Sequence, residues 1–228
     1  IEYKENLNII KVNNLILSNK YKVKDVDFVI LNYQNINKKL NNLKFQKNNN
    51  NEYKLSGNEF DAQLLISNYL KGENINNIFE RFDNLNSKIL IKFNNIFIDD
   101  NSTLTDLVGE ISFKRKGVHS AEINSKIDKK NDFSLTIKTN SRDERVTNLF
   151  IEEPEPFIKN YKFIKGFTEG KLSYGSIKKK NGTKANLKIY DFKVQEVPIL
   201  ARLLTLASLQ GIADLLTGEG IRFNEFEM

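Results

Sequence analysis

The sequence predicts a mainly β protein with a few helices, in which antiparallel strands form a meander and an apolar helix lies near the C-terminus. Three observations lead to this fold class. Polar and apolar residues alternate along most of the chain, which is the period of a half-buried strand. Turn-forming pairs such as Lys130-Asn131 and Asn181-Gly182 separate many of the alternating segments. The segment 198–217 departs from this pattern because it is almost entirely apolar.

The N-terminal segment, residues 1–53, is predicted to be rich in strands. Apolar residues cluster over 7–17, Ser18-Asn19 suggests a turn, and polar and apolar positions mostly alternate over 21–33. The four asparagines of 48–51 read as an exposed loop.

The middle segment, residues 54–164, is predicted to be a β-meander with short helices. Its first strand should end at Ser56-Gly57, and a short helix should begin near Phe60-Asp61, where an aspartate can accept a backbone N–H. A polar linker leads to a strongly apolar strand over 87–98 and then to an Asp-Asp-Asn turn. Further alternating strands follow, and prolines and acidic residues in 152–164 open a second short helix.

The third segment, residues 165–228, carries the leucine-rich helix over about 198–217. Pro198 suits a first helical turn, and Gly218 can end the helix. Because its apolar residues point to nearly every side, the helix needs apolar surroundings. Packing on the sheet is favoured over lying on a lipid surface, and a membrane span is disfavoured by Arg202 and Asp214. A return strand over 221–226 follows, so the three segments are expected to share one continuous sheet, and the chain reads as a piece of a longer protein.

Composition narrows the possible functions. The 228 residues carry a net charge of +6, which could suit a nucleic acid or an anionic membrane. The lysines are scattered, however, and their densest runs lie at turns without a recognisable nucleic-acid-binding motif. We therefore expect no nucleic-acid partner unless folding gathers the lysines on one face. The absence of cysteine excludes disulfides and thiolate metal sites.

No group of residues forms a convincing catalytic set. The acidic pairs Asp99-Asp100 and Glu152-Glu153 occupy turn and helix-start positions, where carboxylates are common for structural reasons. His119 is the single histidine and lies in a strand-like stretch. The glycines of 166–170 do not form a phosphate-binding loop. The sequence thus argues against an enzyme, and neither a metal nor a cofactor is expected.

Three stretches resemble a known family. The Asp191-Phe192 entry, the helix that starts at Pro198 and the return strand over 218–223 resemble the AsmA-like C-terminal region of YhdP-type proteins, in the TamB and AsmA superfamily of bridge-like lipid-transfer proteins. Residues 55–65 and 165–172 are similar to two further motifs of these proteins, in the same order. The acidic, proline-containing stretch 152–156 departs from the family pattern.

The resemblance implies a segment of a periplasmic envelope protein of a Gram-negative bacterium, anchored in the inner membrane through parts outside this chain. It implies an elongated, curved, groove-like sheet that moves phospholipid between the inner and outer membranes and supports outer-membrane integrity. Phospholipid acyl chains would be the partner, and the resemblance leaves the oligomeric state open. The groove candidates are Phe133, Leu135, Ile137, Leu187 and Ile189 on strands, with Leu200, Leu203, Leu204, Ile212 and Leu216 on a helix that covers or fills the groove.

Two alternatives stay open beside the lipid groove. In the first, the leucine helix closes the sheet into a filled core, and the chain acts as a structural or interaction scaffold of the envelope. In the second, the basic excess binds nucleic acid, which requires lysines on one face and an affinity that falls steeply with salt.

Overall fold

The computed structural model describes residues 1–49, 52–70, 86–114, 117–158, 166–195 and 220–228. In these ranges the chain is mainly strand, which confirms the predicted fold class at that level. The strands are β1 Glu2–Glu5, β2 Asn8–Asn13, β3 Ile16–Leu17, β4 Val23–Asp25, β5 Phe28–Gln34, β6 Leu40–Asn49, β7 Glu52–Asp61, β8 Lys88–Phe97, β9 Thr103–Lys114, β10 Gly117–Ile127, β11 Asn131–Thr139, β12 Arg145–Ile151, β13 Phe167–Lys179, β14 Gly182–Val194 and β15 Ile221–Glu227. The helices are α1 Gln63–Leu70 and α2 Glu155–Ile158.

A single 13-stranded sheet contains every one of these strands except β3 and β4, which form a separate two-stranded sheet. The order of the large sheet follows the chain, from β1 and β2 through β5 to β15. Most neighbouring strands are joined directly at one end, as the hairpin-rich sequence predicts. The return strand expected after residue 220 is present as β15, which pairs with β14.

The prediction of a wholly antiparallel sheet is wrong at one place, because β7 and β8 pair in parallel. Two parallel neighbours require a connection that crosses back over the length of the strands. After Asp61 the chain enters α1, and it rejoins the sheet at Lys88. Alternation of polar and apolar residues is the same in parallel and antiparallel strands, so the pattern alone could not reveal the direction.

The first helix also begins later than the sequence predicts. Instead of ending at Ser56-Gly57, β7 continues to Asp61, and α1 starts at Gln63. Asp61 does accept the backbone N–H of Gln63 through Oδ1, at 3.1 Å, as expected of a helix-start aspartate. The glycine at position 57 therefore marks a close approach of the backbone, not the end of the strand. Similarly, Asn48 and Asn49 belong to the end of β6, although they were expected in a loop.

The predicted turn over Asp99 to Asn101 is confirmed. It joins β8 to β9, and the Asp99 Oδ1 atom accepts the backbone N–H groups of Asn101 and Ser102 at 2.6 and 2.7 Å. The second predicted helix is present in part as α2, which ends the described range at Ile158. The linker after α1 and the leucine-rich helix over 198–217 lie outside the described residues.

The best-buried apolar cluster lies toward the end of the sheet where β8 is joined to β9 and where α2 follows β12. Ile127 is fully buried at its centre, with 0% of its surface exposed. Ile98 and Leu104 flank the turn between β8 and β9, and Ile158 of α2 packs into the same cluster. The sheet therefore has a filled core at this end.

Candidate functional site

A row of paired residues crosses ten consecutive strands, from β5 to β14, on one face of the sheet. Residues directly opposite each other on paired strands point to the same face, so the register identifies the row. Nine of its members are apolar or aromatic and the tenth is a glycine. We call it the apolar row: Val29, Phe45, Leu55, Ile91, Gly109, Ile123, Leu135, Leu149, Tyr174 and Leu187.

The next residue along each strand gives the row on the opposite face, and that row is largely polar. On β6 to β10 this row consists of Lys44, Ser56, Lys92, Val108 and Asn124, so Val108 is its one apolar member there. Phe150 is its one aromatic member, and Lys188 pairs there with Glu225 and Glu227 of β15. The large sheet is therefore amphipathic across its width, with one apolar face and one face made for water.

The side chains of the apolar row are only partly buried. The neighbouring row on the same face lies two residues away along each strand and is better buried. Its members Ile151, Leu172 and Ile189 expose 4%, 9% and 4% of their surface. Leu149, Tyr174 and Leu187 pack against this buried cluster while staying only partly buried themselves. The apolar row is thus the boundary between a filled core and the rest of the face, and it is where a ligand could reach apolar side chains.

The five strand candidates chosen from the sequence all lie on the apolar face, at three different depths. Leu135 and Leu187 belong to the apolar row. Ile189 is a core residue, and Phe133 stacks on Phe157 of α2 with 5.9 Å between ring centroids, so α2 covers it. Ile137 lies on the other side of the row, where its neighbour is Thr147 and the face becomes more polar.

The five helix candidates, Leu200, Leu203, Leu204, Ile212 and Leu216, lie outside the described residues. The sequence analysis also missed eight of the ten positions of the apolar row, including all four on β5 to β8. A signal was available for two of them, because Phe45 and Leu55 each lie between two polar residues.

A short hairpin made by β3 and β4 is fastened over the apolar face near the loop ends of β6 and β7. Asp25 at the end of β4 accepts a hydrogen bond from Lys47 Nζ at 2.5 Å and another from the Tyr53 hydroxyl at 3.0 Å. Tyr53 in turn stacks on Phe45 of the apolar row, with 4.8 Å between centroids. Lys47 lowers the pKa of the Asp25 carboxyl, whereas burial and the bond to Asp25 raise the pKa of Tyr53 to about 12.

This cluster makes the stability of the protein depend on pH. Because the folded state lowers the pKa of Asp25, its contribution is fully present above the carboxyl's unfolded value of about 3.9 and is lost as the pH falls through the lower folded value. We expect Asp25→Asn to be about 1 kcal/mol less stable than the wild type at pH 7, with the gap closing below about pH 4. Urea unfolding at several pH values measures this gap.

The matched control for that experiment is Asp143→Asn. Asp143 is an exposed carboxylate in the turn between β11 and β12 and forms no ion pair with any residue the structure describes. Its replacement should leave the pH dependence of stability unchanged. A stability gap for Asp25→Asn that stayed constant down to pH 2 would show that the Asp25 charge does not hold the hairpin.

The carboxylates singled out in the sequence have structural partners. Glu152 accepts the backbone N–H of Asp132 at 2.9 Å and pairs with Lys171, and these contacts lower the pKa of its carboxyl. Within the described ranges, no group of three or more histidine and acidic side chains is placed to hold a metal ion. Neither of the described helices is long and apolar enough to span a bilayer.

Comparison of the chain with protein-family models, with curated proteins and with solved structures finds no match. The functional argument for this chain therefore rests on the geometry of its sheet and on the chemistry of its two faces.

Proposed function

We propose that this chain is a non-enzymatic segment of a bacterial envelope protein, and that the apolar face of its sheet holds phospholipid acyl chains. The observation that carries this proposal is the apolar row, which continues across ten strands while the row behind it is largely polar. The members of this row are only partly buried, so apolar surface stays accessible beside the filled core. A surface along which acyl chains move needs such a continuous apolar line.

The dimensions of the row suit a lipid. Neighbouring strands lie roughly 4.8 Å apart, so the row is about 43 Å long. A bilayer's hydrocarbon core is about 30 Å thick and contains two leaflets, so one acyl chain is much shorter than the row. Each methylene group that leaves water contributes about 0.8 kcal/mol, and this gain is nearly the same at every position of an even apolar row. A lipid could therefore shift along the face without a deep energetic trap.

The cellular setting belongs to the same proposal. We infer an elongated, curved sheet that forms a groove in the periplasm of a Gram-negative bacterium, with inner-membrane anchoring supplied by parts outside this chain. Transport of phospholipid toward the outer membrane would then support the integrity of that membrane.

The second candidate function is a scaffold with a closed core. It is favoured by the buried cluster around Ile127 and by the packing of α2 on Phe133. In that case the apolar row would be covered by the chain itself, and the protein would present only its outer surface to partners.

Lipid content separates these functions. We expect the wild type, purified gently from a bacterial envelope, to carry phospholipid that native mass spectrometry and solvent extraction detect. Leu149→Glu should lower the bound lipid at least about tenfold, because an acyl chain would have to desolvate a carboxylate. The matched control is Phe150→Glu, one residue along the same strand but on the polar face, which should keep its lipid.

Folding must be monitored in the same samples. Leu149→Gln, which introduces a polar group without a charge, should show a smaller loss of lipid, and circular dichroism checks that each variant keeps its strands. A lipid-free, monodisperse wild type with a cooperative thermal transition would reject the lipid function and favour the scaffold. Equal lipid loss in the two glutamate variants would also contradict a site on the apolar face.

A further inference from the structure

The polar face of the sheet carries a groove of its own, which the lipid proposal does not use. It has a volume of about 430 Å³ and lies on β5 to β8, behind the first part of the apolar row. This volume falls within the range of about 300 to 1,000 Å³ typical of small-molecule sites. Lysine and asparagine residues make up most of its lining, so a bound ligand can meet positive charge and hydrogen-bonding groups there.

Three lysines give the groove a concentrated positive charge. Lys44 on β6 and Lys92 on β8 both lie opposite Ser56 of the intervening strand, and Lys54 is two residues from Ser56 on β7. With strands roughly 4.8 Å apart, the Lys44 and Lys92 backbones are about 10 Å from each other. Their long side chains can therefore converge on one group above the Ser56 hydroxyl.

These charges are not neutralised within the groove. Among the residues the structure describes, no carboxylate forms an ion pair with Lys44, Lys54 or Lys92, and no acidic residue lines the groove. Lys44 instead lies over the Phe28 ring, 5.4 Å from its centroid. A lysine elsewhere on the same face, Lys88, pairs with Glu110 at 2.6 Å. Like charges gathered in a cleft raise the local concentration of anions, so the groove favours an anionic ligand.

Two asparagine pairs supply neutral hydrogen-bonding groups beside the lysines. Asn42 donates to Asn32 at 3.4 Å, and Asn94 donates to Asn58 at 2.8 Å. Each amide has two N–H donors and a carbonyl with two lone pairs, so each pair keeps both a donor and an acceptor for a ligand. A sugar hydroxyl, which donates and accepts at once, matches this arrangement. No aromatic side chain lines the groove within the described ranges, which disfavours base stacking.

We propose that this groove binds a phosphorylated sugar, either free or as the headgroup of a lipid. The phosphate lies between Lys44 and Lys92 and accepts hydrogen bonds from their ammonium groups, while the sugar hydroxyls bond to the asparagine amides. Lysine acts here as a point charge for phosphate. The ligand meets the opposite face from the one proposed for acyl chains, so this site stands independently of the lipid function.

The test is isothermal titration calorimetry of the 228-residue chain with glucose 1-phosphate at low ionic strength. We expect saturable one-site binding, much weaker binding of glucose, and an affinity that falls as sodium chloride rises. Lys44→Gln combined with Lys92→Gln should weaken binding at least about tenfold, since each replacement removes a charge-assisted hydrogen bond. The control is Lys138→Gln combined with Lys184→Gln, which removes the same charge from exposed positions on other strands.

Sedimentation with vesicles containing phosphatidylinositol separates the two sources of the ligand. Vesicle binding that is lost in the Lys44→Gln and Lys92→Gln double variant, without binding of glucose 1-phosphate, would assign the groove to a lipid headgroup. Binding of glucose 1-phosphate without such vesicle binding would assign it to a free sugar phosphate. The proposal is overturned if the wild type binds neither probe, or if both lysine pairs matter equally. The apolar-face variant Leu149→Glu should bind glucose 1-phosphate as the wild type does. A failure of the groove proposal is therefore distinguishable from a failure of the lipid function.

Discussion

Replacing Ile127 by alanine is expected to lower the free energy of unfolding by about 3 to 4 kcal/mol. Ile127 is the last residue of β10 and has 0% of its surface exposed. Truncation removes the transfer free energy of its buried methyl and methylene groups and leaves a cavity that the paired strands cannot close. The neighbours of that cavity include Leu104, directly opposite on β9, which is held by the adjacent turn.

Urea unfolding followed by circular dichroism measures this loss, with Ile177→Ala as the control. Ile177 lies on β13 with 40% of its surface exposed, so the same truncation there should cost well under 1 kcal/mol. If Ile127→Ala also cost less than 1 kcal/mol, the buried cluster would not be the core that holds the sheet together. Both lipid binding and groove binding should survive at temperatures where the variant remains folded.

The fold was predictable wherever local patterning decides it. Strands β9, β10, β11, β13 and β14 carry clear alternation, and the structure forms them near the expected positions, whereas β12 was not among the predicted strands. The parallel pairing of β7 with β8 was not predictable, because strand direction depends on the path of the connection and not on the strand residues. The helix start was misplaced for a related reason, since Gly57 reads as a strand end but serves a close backbone contact.

The candidate site was predictable in part. Alternation placed Leu135 and Leu187 on the apolar face, and the register then brings them together through Leu149 and Tyr174. Depth on that face was not predictable, because residues two apart on one strand share a face and yet differ in burial, as Leu187 and Ile189 do. The lysine groove was invisible to sequence reasoning since Lys44 and Lys92 are distant in the chain and meet only across β7.

The two faces give experiments that can be interpreted separately. Leu149 lies on β12 and the groove lysines lie on β6 to β8, on the opposite face. Substitutions that are well separated and share no partner usually have additive effects on stability. A triple variant with Leu149→Glu and both lysine replacements should therefore lose both ligands, with a stability close to that expected from adding the separate changes.

Gly57→Ala is expected to destabilise the protein by about 2 to 3 kcal/mol. A Cβ atom at this position would lie 2.1 Å from the backbone oxygen of Asn42 and 2.6 Å from the ring of Phe93. The ring could rotate, but the Asn42 carbonyl belongs to β6, so relief requires two paired strands to separate. Overpacking of this kind costs about 1 to 3 kcal/mol, and the rigid backbone contact places this site at the upper end.

Gly175→Ala is the matched control, because it lies inside β13 with its nearest contact, the Asn148 side chain, at 3.7 Å. The alanine methyl group there makes only an ordinary van der Waals contact, and alanine lowers the conformational entropy of the unfolded chain. The stability of Gly175→Ala should therefore stay within about 1 kcal/mol of the wild type or rise slightly. Thermal unfolding of the two variants compares them directly. Equal stability would mean that β6 and β7 are not held at the observed separation, and the groove between Lys44 and Lys92 would then lose its geometric basis. A destabilised but folded Gly57→Ala that binds glucose 1-phosphate more weakly would instead connect this close contact to the shape of the groove.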